Sequence, residues 1–170
     1  AAAHADAVHG AEICRDLQDR LVMIARVSDA GAFVNTNALT LKRSHGDYSV
    51  MQLLYDGSEI KAVLDFVNAG EVPIAWELIR SYSYMDCTFN AARLAAYTNE
   101  YRRYAEVSMD DLRYMPYLYL GQLLSSTYGY KQYLQTGDEE LLAFGRWRTE
   151  MCRYLIANAG EVSAELVRLA

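Results

Sequence analysis

Ser44-His45-Gly46-Asp47-Tyr48-Ser49-Val50-Met51-Gln52-Leu53-Leu54-Tyr55, followed by Ile60-Lys61-Ala62-Val63-Leu64-Asp65-Phe66, is the stretch from which the rest of this chain can be read. Leu53-Leu54-Tyr55 reads as a short strand, Asp56-Gly57-Ser58 as a hairpin turn and Glu59 to Leu64 as the returning strand. A hairpin of this length brings its two ends together. Asp65 is therefore expected beside the loop that carries His45, Asp47 and Gln52.

Two carboxylates and an amide at these spacings suit phosphoryl transfer. In that chemistry a protein does little covalent work: it positions a hydroxyl, holds a metal ion across nucleotide phosphates and offsets charge, so the groups it needs are few and oxygen-bearing. Asp47 would face the acceptor hydroxyl while Asp65 and Gln52 share the metal. A kinase is the leading expectation.

These residues also carry a family resemblance. His-x-Asp, four residues, an amide, then a hairpin ending in Asp65-Phe66 resembles the C-terminal lobe of the aminoglycoside phosphotransferase, choline kinase and homoserine kinase group of protein-kinase-like small-molecule kinases. Ala69-Gly70-Glu71-Val72-Pro73, followed by Trp76-Glu77-Leu78, is similar to the segment after that family's metal-binding Asp. The specific match covers Ser44 to about Arg80. The resemblance implies Asp47 as catalytic base, Asp65 as principal Mg2+ ligand, Gln52 in the family's metal-binding Asn position, and His45 as a brace of the catalytic loop. It implies Mg2+ with ATP or GTP as cofactors and a small-molecule hydroxyl as acceptor. The sequence departs from the family at Gln52, one methylene longer than Asn, and at Glu77, where an Asp is common nearby.

A Gly-rich phosphate loop and a strand Lys paired with a helix Glu complete such a site. Neither stands in this sequence: the ten glycines include no Gly-x-Gly, and of the three lysines only Lys42 precedes His45, by three residues. The expectation is one domain over residues 1–170, the catalytic and substrate lobe without its nucleotide lobe. The intact protein would be a phosphotransferase and the isolated lobe inactive.

Composition narrows the alternatives. A length of 170 residues suits a single core, and a net charge of −6 carries no nucleic-acid footprint. No apolar run reaches transmembrane length, so no membrane partner is expected. Cys14, Cys87 and Cys152 lack metal or disulfide spacing and read as free thiols of a cytoplasmic protein.

Outside the hairpin the periodicity is helical, giving a mainly α, α+β fold. Helices are expected over about Asp6 to Arg26, Pro73 or Ile74 to Tyr84, Thr88 to Glu106, Ser108 to Leu134 and Glu139 to Asn158, with a short one from Ser163 to Leu169. Ala38-Leu39-Thr40-Leu41 is expected as a strand. Ser108 and Asp111 resemble a capping box, Pro116 is placed to kink or split its helix, and Gly160 to end the one before it.

Eleven of fourteen tyrosines fall between Tyr82 and Tyr133. Helix packing is the plainer explanation of Tyr97 and Tyr101 at one-turn spacing. The sharper one is an aromatic acceptor pocket, in which tyrosine faces and nearby acids such as Glu100, Asp110 and Asp111 would suit a cationic amine and an uncharged sugar would stack; Tyr48 and Glu77 are also expected on the substrate side. Two further function classes stay open: a non-catalytic, pseudokinase-like binding or scaffold module, and a helical metal-dependent phosphohydrolase using His4, His9, His45, Asp47 and Asp65.

Overall fold

The computed structural model describes residues 2–29, 34–85 and 90–170; Cys87 and the start expected for the helix at Thr88 lie outside them. Among the described residues the helices are α1 (Ala2–Asp29), α2 (Ile74–Met85), α3 (Ala91–Arg102), α4 (Met109–Ser125), α5 (Tyr128–Thr136) and α6 (Glu139–Leu169). The strands there are short: β1 (Leu41–Ser44), β2 (Leu53–Asp56), β3 (Glu59–Val63) and β4 (Gly70–Pro73). Single 3-10 turns stand at Thr36–Ala38, Val50–Gln52 and Phe66–Asn68. The fold is mostly helical with two antiparallel strand pairs, an α+β arrangement.

The chain divides into two compact units, residues 1–33 with 120–159 and residues 34–119 with 160–170. In the first, Ile13 of α1, Tyr130 and Tyr133 of α5 and Leu142 of α6 form a buried cluster against which Leu17, Leu134 and Leu141 pack. The α5 and α6 backbones meet at two glycines: a Cβ on Gly129 would lie 2.6 Å from the Gly145 nitrogen, so a side chain there would force the helices apart. Arg20 of α1 is buried, with no carboxylate paired to it among the described residues. It donates instead to the carbonyls of Leu123 (3.3 Å), Ser126 (2.6 Å) and Gly145 (3.1 Å) and to Thr149 Oγ1 (2.6 Å), which satisfies the end of α4 where intrahelical donors run out.

The second unit positions the candidate site. β2 and β3 form the expected hairpin, with Leu53 opposite Val63 and Asp56 opposite Glu59. β1 and β4 pair antiparallel, Leu41 opposite Pro73 and Ser44 opposite Gly70, so the chain entering the His-Gly-Asp loop lies beside the chain leaving Asp65. Ile74, Ala75, Leu78 and Ile79 of α2, Leu94 of α3 and Leu112 and Met115 of α4 are buried. The capping box at the start of α4 is present. Ser108 Oγ accepts from the Asp111 amide at 3.0 Å and Asp111 Oδ2 from the Ser108 amide at 2.8 Å, while Asp111 Oδ1 also takes the Thr40 amide at 2.9 Å, just before β1.

Several expectations are corrected. The strand expected at Ala38–Leu41 begins at Leu41, because Asn35 caps a 3-10 turn over Thr36–Ala38 by accepting from the Asn37 amide. Of the two starts expected for α2 the structure takes Ile74, and Pro73 closes β4 at the end of the ladder, where its missing N–H costs least. Pro116 lies inside an unbroken α4, and the break falls at Ser126-Thr127, next to the carbonyls that Arg20 takes. Gly160 does not end α6. The apolar spacing continues across it through buried Leu155, Ala159, Val162 and Leu166, which outweighs the ~1 kcal/mol a helical glycine costs.

Candidate active site

The loop after β1 is built around Gly46. Its φ of +76° is open to glycine at no steric cost, and a Cβ there would lie 1.9 Å from the Asn68 carbonyl oxygen. The Phe66–Asn68 turn is thereby brought against the His45-Gly46 corner. The second 3-10 turn, Val50–Gln52, delivers Gln52 to the mouth of the hairpin, where its backbone carbonyl accepts the Leu64 amide at 2.8 Å. Asp65 follows directly.

Asp65 is, among the described residues, the one non-glycine with positive φ, at φ 60° and ψ 62°. An L-residue held in that left-handed region costs roughly 1–2 kcal/mol, a strain that clusters at functional sites. Its carboxylate makes no capping bond to the turn it precedes and is exposed, so its oxygens are not spent on local structure. Asp65 and Gln52 are thus neighbours with oxygen ligands to offer. Among the described residues there is no group of three or more His, Cys, Asp or Glu placed to hold a metal. Mg2+ does not require one, since it binds through one or two protein ligands with phosphates and waters. The residues present fit that ion.

His45 is 8% exposed, and its Nε2 lies 2.6 Å from the Leu64 carbonyl oxygen. A carbonyl only accepts, so Nε2 is the donor in this bond. The ring packs on Phe66 at 4.6 Å and edge-on to Tyr48 at 5.9 Å. His45 therefore ties the loop to the residue before Asp65.

Asp47 is partly exposed, and its Oδ1 is ion-paired with Nη2 of Arg80, from α2. The Arg80 guanidinium also stands over the Trp76 ring at 5.3 Å. Sequence reasoning missed Arg80 as a partner of Asp47. The available signal was its place one turn after Trp76 and three residues after Glu77, in the Pro-to-Trp segment that already carried the resemblance.

Glu77 is 7% exposed, and its Oε1 accepts the Tyr48 amide at 3.3 Å. Burial pushes its carboxyl above the usual range, opposed by bonds from the Tyr48 and Gly46 amides and by the nearby His45. Glu77 thus fastens the backbone directly after Asp47. Its Oε2, like His45 Nδ1, is buried with no hydrogen-bond partner among the described residues.

The four residues expected on the substrate side come together. Tyr48, Glu77, Tyr97 and Tyr101 line one cavity of about 360 Å³, with His45 and Ser81 also in its wall. Tyr97 is held there by a 2.9 Å hydroxyl bond to Ser81. Asp47, Gln52 and Asp65 are not among the lining residues. The structure therefore brings Gln52 and the residue before Asp65 together at the hairpin mouth and gathers the aromatic set with Glu77 around the cavity, while Asp47 stands against Arg80. His45 touches the hairpin mouth and the cavity.

The remaining histidine with a described side chain is engaged elsewhere, His9 with Glu12 at 3.4 Å and against Tyr133 at 5.9 Å. Cys14 and Cys152 are free thiols, the first exposed and the second buried. No helix among the described residues is long and apolar enough to cross a membrane.

A model of the phosphotransferase enzyme family matches residues 4–107, which include the loop, the hairpin, α2 and α3. No curated protein and no solved structure matches the chain.

Proposed function

The chain belongs to the phosphotransferase enzyme family, and from that premise we propose that it is the catalytic lobe of a cytoplasmic kinase moving the γ-phosphoryl group of ATP or GTP to a hydroxyl of a small molecule. The observation that carries this reading is the hairpin mouth, where the Leu64 amide bonds to Gln52 and the Leu64 carbonyl to His45. Both bonds bring Asp65 to the loop of Asp47.

Each residue then has a task. Asp47 orients the acceptor hydroxyl and accepts its proton at the carboxylate. Arg80 holds that carboxylate in one place, Glu77 fixes the backbone amide directly after it, and His45 keeps the two metal-side residues in register with the loop. Asp65 and Gln52 would hold Mg2+, which when bound supplies charge neutralisation across the nucleotide phosphates. Hydroxyl and phosphoryl group are joined by positioning, so rate depends on how rigidly this small frame is held.

The phosphate clamp is assigned to a separate lobe. Met51, Phe66 and Val67 stand 76%, 57% and 88% exposed in the turns flanking the hairpin, and Leu54, Tyr55 and Ile60 are half exposed on the hairpin itself. Exposed apolar side chains gathered on one supersecondary unit mark a contact surface, which supports a lobe docking there.

Nucleotide affinity with and without Mg2+ tests the proposal. In the intact enzyme Asp65→Ala should abolish the Mg2+-dependent part of nucleotide binding and leave the metal-free part. An unchanged Mg2+ dependence would remove Asp65 from the site.

A further inference from the structure

A second cavity, of about 350 Å³, lies between α1 and α5 within the first unit. Its inner surface is almost wholly apolar, supplied by Leu17, Tyr130 and Leu134, while Thr127, Lys131 and Gln135 edge it. Those three stand one helical turn apart and form a row along one side of α5. All three are exposed, and among the described residues none of their side chains makes a hydrogen bond or an ion pair. Each can donate, and Lys131 is the one charged side chain in the lining. On the α1 side the apolar surface continues from Leu17 to Leu21, one turn on and 66% exposed. An apolar channel is thus bordered by a single unpaired cation and two neutral donors.

We propose that this cavity binds a single-chain alkyl carboxylate, its tail against Leu17, Tyr130 and Leu134 and its carboxylate on the Lys131 ammonium, with Thr127 or Gln135 as a second donor. A cavity of this volume is in the range of small-ligand sites, which are mostly apolar with a few convergent polar groups. The charge at the edge selects the head group. One cation with no acid beside it in the lining matches a monoanion, whereas an acidic helix would bring several carboxylates to a row that holds one charge. Lys131 lays its aliphatic stem along the apolar surface and keeps its ammonium in water, so the ion pair is exposed and modest. Burial of the tail supplies most of the affinity, and the ion pair sets the direction of the chain. The site belongs to the first unit and the His-Gly-Asp loop to the second, so it stands whether or not the protein transfers a phosphoryl group.

Titration calorimetry of the full chain with octanoate, octylammonium and butanoate, at one ionic strength, tests this. Octanoate should bind saturably, about fivefold tighter than octylammonium, which carries the opposite charge. Butanoate, with four fewer methylenes to bury, should bind at least about thirtyfold more weakly than octanoate. Lys131 is exposed and unpaired among the described residues, so Lys131→Gln should leave the fold intact. In that variant octanoate should lose about fivefold in affinity, and its preference over octylammonium should vanish. Octylammonium or butanoate binding the unmodified chain as tightly as octanoate would overturn the proposal. So would a preference for octanoate that survives Lys131→Gln, which would put the anion elsewhere. No saturable binding, the result if a second copy of the chain or another protein segment covers the groove, would overturn it equally.

Discussion

The Arg80 guanidinium is ion-paired with the carboxylate of Asp47 and stacked over Trp76 one turn earlier on α2. A helix in the interior of its unit thus fixes the orientation of the loop residue assigned as base. Arg80→Met should lower kcat of the intact enzyme by roughly tenfold to a hundredfold with a smaller change in acceptor KM, since the variant loosens Asp47 without touching acceptor. Steady-state kinetics at saturating nucleotide read this directly. A kcat within twofold of the unmodified enzyme would make the pair structural only.

Gly46 and Gly57 both have positive φ, +76° and +60°, yet differ in surroundings. Around Gly57 an added Cβ meets nothing within 4 Å; at Gly46 it meets the Asn68 carbonyl oxygen. Gly57→Ala should therefore cost only the backbone strain, about 1 kcal/mol, and Gly46→Ala clearly more, roughly 2–4 kcal/mol as the Phe66–Asn68 turn is displaced. Urea unfolding of the two variants side by side measures the difference. Equal losses would show that the loop and the turn are not in contact.

Glu77 gives a pH dependence with a definite sign. Its carboxyl lies above the ordinary value of 4.5 because of burial. In the window between 4.5 and its raised value the folded chain holds a proton that the unfolded chain has lost. Its contribution is most favourable below 4.5 and declines as pH rises through the raised value. Glu77→Gln should remove that decline. Denaturant midpoints from pH 4 to 7 check this, and parallel profiles for the two proteins would contradict it.

The first unit has its own titration, at alkaline pH. Burial, reinforced by the hydrogen bond to Asp16, pushes Tyr130 up from 10 to about 12. The folded chain keeps the phenolic proton that the unfolded chain loses, so this contribution is fully present below pH 10 and is lost as pH rises through about 12.

 In net, stability falls between pH 10 and pH 12, because unfolding releases that proton. Tyr130→Phe should flatten the fall, and thermal unfolding across that range measures it. An equally steep fall in the variant would assign the alkaline loss to other groups.

The parts of this fold that were legible in the sequence are those whose cause is local. Asp56-Gly57 names a turn, and the residues on either side have only each other to pair with, so β2, β3 and the return of Asp65 could be placed without a structure. The same holds for the Ser108–Asp111 capping box. What escaped depends on distant partners. β4 is four residues long with no alternation, and its identity as a strand comes from β1. The end of α4 is set by Arg20, from a helix some hundred residues earlier. The pairing of Arg80 with Asp47 likewise needs α2 to be laid against the loop. Of the candidate site, the order Asp47, Gln52, Asp65 was readable and so was the association of Tyr48, Glu77, Tyr97 and Tyr101; that the first three stand outside the cavity lined by the others was not.

The central claim is that Asp47 acts on an acceptor hydroxyl during phosphoryl transfer. Turnover of Asp47→Asn in the intact enzyme, measured beside its nucleotide affinity, tests it most directly. The account predicts a loss of roughly a hundredfold to ten-thousandfold in kcat, with nucleotide binding within a fewfold of the unmodified enzyme. Turnover retained within a fewfold would contradict it.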